Sequence, residues 1–580
     1  MRGKTAKGLS MFLSAAMIMS IFAACGKSND SKESASPAAG SSTAPSASTE
    51  ASKAPAEDLT PIKFSFFSED PNPNWNNMQD EVGKVLTEKT GVTLQAEFAV
   101  GDPQQKVALI ASSGDYPDLI SAKQDVSKLV DAGAVLDLTD LIDKYAPNIK
   151  KVLGDQISHA RYSNEDKGIY AIPSYDGIGQ KYFTAGGGFE LQHAVVKELG
   201  YPKIRTVTDF ENAIKAYKDK HPTVDGKPTI GLTLNADDWH MYISVTNPAF
   251  LATGGPDDGE YYINPQTYEA QYHFTRPEEK EYFKWLNHMN DIGLLDKESF
   301  TQKYDQYKAK IATGRVLGLI DQDWDYGDGE KALKAAGKFD LGYGHYPVTV
   351  SDKYEDHSFQ STGFSGGSGV SISKNCKDPV RAIKFLDYLA SDEGQVLMFW
   401  GIEGKHYTVE NGVRTVIPAV NDRKINDASN FAKESGIGNY NLLSAHYGDG
   451  VKDPSGNYYT TNFPEQIVAG YNDVEKEVLK AYGATNYGTW KDLFPSEDKF
   501  PVKPWGASWN IPISADSDLG VIEQKLKDIT WKRIPEMIMA KPDQFDKLWD
   551  AYMAELDKSG VKKANELRTE AIKQRLELWK

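Results

Sequence analysis

Apolar and polar residues alternate through Val92-Thr93-Leu94-Gln95-Ala96-Glu97-Phe98, the period that predicts a strand with one buried face. Ile62-Lys63-Phe64-Ser65-Phe66-Phe67 reads as an earlier strand and leads into a loop rich in Pro and Asn. Trp75 to Thr90 reads as a helix that stops at Gly91. Gln104 to Ser112 is helical, Gly114-Asp115-Tyr116-Pro117 forms a turn, and Asp118-Leu119-Ile120 opens another short strand. Strands and helices alternating at these lengths predict an α/β layer architecture.

The same alternation continues downstream. Asp209 to Lys218 and Lys280 to Met289 carry apolar residues at helical spacing, while Thr229 to Leu234, Val316 to Ile320 and Val370 to Ser373 read as strands. Asp378 and Pro379 stand in N-cap and N1 order before Val380, Ile383, Phe385, Leu386 and Leu389. Phe545, Leu548, Trp549, Tyr552 and Leu556 mark a late helix. No repeat of fixed period is present. A body of roughly 520 residues exceeds one ordinary domain, so two lobes are expected.

The first residues break this pattern. Arg2, Lys4 and Lys7 precede an uncharged, mostly apolar run from Leu9 to Ala24, which predicts a signal peptide over 1–24 rather than a membrane span. Phe22-Ala23-Ala24-Cys25-Gly26 resembles the bacterial lipobox, with Phe22 where Leu is usual, so Cys25 is expected to carry lipid at the outer face of a cytoplasmic membrane. Residues 25–58, including SASPAAGSSTAPSASTEASKAPAED, lack the apolar content to fold and predict a disordered linker with a reach of roughly 30 Å.

Composition narrows the function classes. A net charge of −17 argues against nucleic acid and against a polybasic grip on lipid. The other cysteine, Cys376, has no partner once Cys25 is acylated, so no disulfide is expected. H-E-x-x-H, paired C-x-x-C, Walker and G-x-G-x-x-G motifs are absent, so no cofactor and no metal are expected. Gly363-Phe364-Ser365-Gly366-Gly367 fits the G-x-S-x-G elbow, but a strand-like segment follows where a helix is required. Asp321, Asp323 and Asp325 alternate like a calcium loop, yet Tyr326 and Ala332 occupy the Gly and Glu positions, which predicts a solvated acidic loop.

Several segments in order resemble the family 1 extracellular solute-binding lipoproteins of ABC importers, notably the large oligosaccharide-type members of Bacillus-like Gram-positives. They are Ala111 to Ile120, VLDLTDLIDKYAPNIKKVL (135–153), GIYAIPSY (168–175), YFKWLNHMNDIGLLDKESF (282–300), KIATGRVLGLIDQDW (310–324) and VSISKNCKDPVRAIKFLDYLASDEGQVLMFWGIEGKHY (370–407). The resemblance implies an α/β, two-lobed periplasmic-binding-protein-like fold with an interlobe ligand cleft and extra C-terminal helices. It places the N-terminal lobe at 59–172 and 360–400, and the C-terminal lobe at 173–359 and 401–580. It implies a non-enzymatic monomer that captures an oligosaccharide and delivers it to permease subunits of an ABC transporter. Some members carry a calcium loop where this chain has His221-Pro222-Thr223-Val224-Asp225-Gly226-Lys227, with one carboxylate, so calcium is not expected.

Sugars present apolar faces and a rim of hydroxyls, which aromatic rings and carboxylates recognise. The candidate binding residues are therefore Trp239, Trp324, Trp400, Trp505 and Trp509, with Asp118, Asp176, Asp323 and Tyr175; Tyr182 is a weaker candidate. Trp285, Trp531 and Trp549 fall on amphipathic helices and read as core. Two alternatives stay open: a surface glycan hydrolase or esterase using Ser365, and a peptide-binding or sensory lipoprotein of the same fold.

Overall fold

The strands that build the two main sheets are, in chain order, β1 (Ile62–Ser68), β2 (Val92–Phe98), β3 (Leu119–Ser121), β4 (Ile172–Pro173), β5 (Gly187–Gln192), β6 (Ile230–Thr233), β7 (Val316–Gln322), β8 (Tyr343–Tyr346) and β9 (Gly369–Ile372). They belong to a computed structural model that describes residues 58–256, 259–502 and 506–580, without the side chains of residues 507 and 509. The expected signal peptide, Cys25 and the linker through residue 57 lie outside the described residues, as do Trp505 and the side chain of Trp509.

The first sheet has the order β2-β1-β3-β9-β4 and the second β8-β5-β7-β6. β1 pairs in parallel with β2 and β3, so their carboxyl ends share one edge, while β9 returns antiparallel to β3. In the second sheet β7 runs parallel to β6 and antiparallel to β5. Each sheet has its own apolar core, around Phe64, Leu94 and Ile372 in one and around Phe189, Leu232 and Ile320 in the other. The result is the two-lobed α/β architecture that the pattern and the resemblance imply.

Helix boundaries follow local chemistry. The helix Glu81–Thr90 starts where the Asp80 carboxylate accepts the Gly83 N–H at 2.6 Å, and ends at Gly91 in the left-handed region. It does not reach back to Trp75 as the sequence suggests, because Asn77 and Met78 both take positive φ. Asp378 caps Pro379–Ala390 through the Arg381 N–H, as its sequence order predicts. The stretch expected to be an acidic loop is instead the first turn of a helix, Asp323–Ala335, with Asp321 buried at the end of β7 and Asp325 buried beneath the turn. At 223–228 the chain makes a two-strand hairpin whose turn residues, Asp225 and Gly226, both have positive φ.

One expected boundary moves. Tyr440, Leu443 and Ala445 join the core around the first sheet, and the Tyr440 hydroxyl donates to Asp80 at 2.6 Å. Residues 401 to about 463 therefore pack with the N-terminal lobe, and a third passage between lobes follows. The C-terminal helices Asp518–Ile538 and Pro542–Lys558 pack on the second lobe, with Trp549 in its core. The last helix, Val561–Trp579, touches both: Thr569 Oγ1 accepts the Ala270 N–H on one side, and Arg575 donates to the Arg161 and Tyr162 carbonyls on the other.

Candidate functional site

Residues 174–186 leave the first sheet, and residues 359–368 return to it. The two crossings run side by side, with the Ser174 N–H donating to the Ser368 carbonyl at 3.0 Å. Where they meet the sheet, β9 lies so close to β4 that a Cβ on Gly369 would lie 1.8 Å from the Ile172 oxygen, and a Cβ on Gly366 would lie 3.0 Å from His159. The glycine run after Ser365 thus serves packing, and β9 follows it, so the helix that a nucleophile elbow needs is not there.

Between the lobes these crossings line a cavity of about 410 Å³. Lys123 and Gln124 reach it from the turn after β3; Tyr175, Asp176 and Tyr182 come from the first crossing, and Gln360, Thr362 and Ser365 from the second. Asp176 accepts both the Ser365 N–H, at 3.1 Å, and the Ser365 hydroxyl. Ser365 Oγ is thus engaged by a carboxylate rather than by a histidine.

A second network forms the cavity wall on the first lobe. Asp70, just beyond the carboxyl end of β1, pairs with Lys123 through one oxygen and accepts the Tyr175 hydroxyl through the other. Lys123 also sits 5.6 Å over the Tyr175 ring. Burial, and then the Asp70 charge, push the Tyr175 phenol well above its ordinary range, so it stays a donor. Behind it, burial and the neighbouring Asp125 raise the Glu69 carboxyl to about 8.

On the second lobe, the Trp239 and Trp324 rings stack with centroids 6.0 Å apart and planes 17° from parallel. They are 44% and 60% exposed, which is unusual for two large apolar rings side by side. Trp324 belongs to the first turn after β7, and Trp239 follows Asp238, which takes a positive φ. Because β5 is antiparallel to β7, the incoming crossing enters the sheet beside the end of β7: Asp323 N–H donates to the Gly186 carbonyl at 2.6 Å. The indole pair therefore sits where the second lobe meets the crossing.

The pair is propped from below. Buried His240 packs 3.9 Å from Trp239 and 4.3 Å from Tyr304, and its Nδ1 lies 3.2 Å from an Asp325 oxygen. Tyr304 in turn donates its hydroxyl to the Asp325 carbonyl at 2.7 Å. Deeper still, Asp321 accepts the Tyr307 hydroxyl at 2.6 Å, and burial pushes both it and Glu190 well above the carboxylate range. Among the described residues no group of three or more His, Cys, Asp or Glu is arranged to hold a metal ion.

The sequence candidates divide clearly. Tyr175 and Asp176 line the cavity, and Tyr182 stands at its mouth with its ring 5.9 Å from Phe359. Asp323 is open to solvent yet surrounded by protein mass, and that desolvation raises it to about 6. Asp118 is not a cleft residue: it is 2% exposed and accepts from Ser65 N–H, Ser65 hydroxyl and Lys377 N–H at 2.8, 2.7 and 3.0 Å. Burial pushes its carboxyl up, but those bonds outweigh it and hold the group below its ordinary range. Trp400 is also structural, buried against Tyr407 and Phe463 with Nε1 donating to the Tyr458 carbonyl and the Arg414 guanidinium 5.1 Å over its ring.

Residues that the pattern did not single out are Lys123, Asp70, Gln360 and Trp75. Trp75 lines a smaller recess of about 120 Å³ with Asp70, Asn72 and Phe98, at the carboxyl ends of β1 and β2. The signal for it was present: a Pro- and Asn-rich loop directly after a strand is a site-forming loop, not the start of a helix.

Comparison with known proteins bears on this geometry. The family model for bacterial extracellular solute-binding proteins matches residues 81–404. A fructooligosaccharide ABC transporter substrate-binding protein, FusA of Streptococcus pneumoniae, is 25% identical over 329 residues, covering 53% of this chain and 56% of that relative. The chain thus spans little more than half the length of that curated relative. Lipoprotein LipO of Bacillus subtilis is 22% identical over 368 residues, covering 61% of this chain and 69% of LipO. Among solved structures, an S. pneumoniae FusA EF-hand mutant in complex with fructo-nystose superposes with a TM-score of 0.63 at 18% identity, over 88% of this chain and 99% of that one.

Proposed function

Because the chain belongs to the bacterial extracellular solute-binding family, we propose that it is the capture component of an ABC importer that grips an oligosaccharide between its lobes. The observation that carries this reading is the exposed, nearly parallel Trp239–Trp324 pair at the junction of lobe and crossing. Indole faces match the apolar C–H faces of a sugar ring, and the buried His240 and Tyr304 hold them ready, which limits the ordering cost of binding. Asp176 and Gln360 in the cavity, and exposed Asp323 beside Trp324, supply acceptors and donors for the hydroxyl rim. That FusA is named for fructooligosaccharides supports a short glycan as the ligand class.

Lobes joined by crossing segments close by hinge motion, and the closed form is the one a permease distinguishes. The lipobox-like Cys25 and the linker after it supply a leash to the membrane surface, a reading that the LipO likeness supports. No described helix is long and apolar enough to cross a membrane.

The test is a titration of residues 58–580, one compact unit, with a panel of neutral oligosaccharides, following tryptophan fluorescence and product release together. Saturable quenching without turnover is expected, and compaction by small-angle scattering accompanies it. Product formation that Ser365→Ala abolishes replaces the capture reading with a hydrolase. A response to peptides with none to any glycan removes the sugar.

A further inference from the structure

We infer that this cleft rejects acidic oligosaccharides, and that Asp70 is the specificity-determining residue because it occupies the one cation lining the described cavity. The inference rests on the reading of the cavity as a glycan site and adds the charge class of the glycan.

The charged side chains lining the cavity, among the described residues, are Lys123 and Asp176. Recognition of a uronate or sulfate needs an ammonium or guanidinium free to make a charge-assisted bond. Lys123 is not free: it forms an ion pair with Asp70, and both partners are only about one-third exposed. Tyr175 locks Asp70 from the other side, so the carboxylate cannot swing away without giving up a second bond. Asp176 presents a carboxylate on the wall, with the Ser365 N–H and hydroxyl as its donors.

The indole wall repeats the pattern. Asp323 stands open beside Trp324, and the cations around this wall are paired: Lys303 with Asp237 at 2.8 Å, Lys308 and Lys331 with Asp328 at 3.6 and 3.3 Å, and Lys334 with Glu330 at 3.2 Å. No arginine lines the cavity among the described residues. An anionic sugar ring docked on the tryptophans therefore meets carboxylates and already-paired ammonium groups. Specificity built this way excludes the wrong ligand by unpaired like charge, rather than by adding contacts to the right one.

The experiment uses the full-length protein and matched pairs of neutral and uronate tetrasaccharides of equal linkage, for example galactose and galacturonate tetramers, titrated by calorimetry at low and moderate salt. Neutral members are expected to bind at least about tenfold more tightly than their uronate partners, with the gap narrowing as salt rises. Asp70→Asn releases Lys123 and is expected to shrink the neutral-to-uronate ratio by about tenfold; adding Lys123→Met to it restores the ratio. Equal or tighter uronate binding by the unaltered protein overturns the inference, whatever the fate of the variants. So does an unchanged ratio in a folded Asp70→Asn protein. Failure of every tetrasaccharide, neutral and acidic, overturns the glycan reading itself, and the inference with it.

Discussion

Trp324→Ala and Trp400→Ala separate the indole proposed to bind from one that holds the fold. Trp324 is 60% exposed, so truncation costs less than about 1 kcal/mol of unfolding free energy. A sugar ring lying on it covers one face. Of roughly 250 Å² for a Trp side chain, about 75 Å² is the exposed half presented to a ligand, and at about 25 cal/mol per Å² its loss weakens binding by about 2 kcal/mol. That is roughly a twenty- to thirtyfold rise in Kd. Trp400 inverts both expectations. It is 3% exposed, gives a hydrogen bond to Tyr458 and lies under Arg414, so Trp400→Ala costs about 3–5 kcal/mol of stability. Its Kd stays within about threefold of the parent at a temperature where the variant is folded. Guanidinium unfolding followed by circular dichroism, and calorimetric titration with the tightest glycan of the panel, read the two quantities independently. A large stability loss in Trp324→Ala, or equal affinity losses in both variants, refutes the assignment of the indole pair.

Glu69→Gln tests the buried acid pair behind the cavity. With its folded carboxyl raised from 4.5 to about 8, the native state holds a proton there that the unfolded chain releases, so this group subtracts stability progressively as pH rises between those values. The Tm difference, variant minus parent, is expected to grow from pH 4.5 to 8; a difference that shrinks over that range contradicts the reading. Arg575 is 5% exposed and donates to the Arg161 and Tyr162 carbonyls at 2.7 and 2.6 Å. Arg575→Ala leaves two part-buried acceptors without their donor and is expected to cost about 1–2 kcal/mol in urea unfolding, with Arg575→Lys recovering part. Cys25→Ser is expected to abolish incorporation of a palmitate label and to release the protein into the medium, read by blotting the culture supernatant.

Much of the scaffold was legible because burial imposes a period. The strand at Val92–Phe98 falls on the residues whose alternation predicts it, and Asp378 caps its helix as the order of Asp and Pro requires. The errors have a common cause: local signals are silent about distant partners. Nothing near Asp118 in sequence announces that Ser65 and Lys377 consume its carboxylate from 53 and 259 residues away. Trp400 looks like any indole before a glycine turn until Arg414, Tyr407 and Phe463 close over it. The acidic repeat at Asp321 to Asp325 looks solvated, but β7 and the helix after it fold two of those carboxylates inward and leave Asp323 at the surface. Lys123 was invisible for the complementary reason, since a lone lysine acquires meaning only from Asp70 and Tyr175 beside it.

The terminal helix shows how such distant contacts shape motion as well as binding. Trp579 stacks on His159 at 3.6 Å with planes 6° apart, and His159 Nδ1 lies 2.6 Å from the Phe364 carbonyl in the returning crossing. Asn510 donates to both the His159 and Ser365 carbonyls, at 2.6 and 2.8 Å. A strap fastened far from the crossings would stretch when the lobes close and would oppose capture. The stack and the Asn510 bonds fasten the end of this helix to the crossing that carries Ser365, while Thr569, which accepts the Ala270 N–H, fastens its middle to the second lobe. On the proposed hinge closure the half-buried ring stack and paired carbonyls are expected to stay intact, and the Ala270–Thr569 bond is the one that has to follow the second lobe.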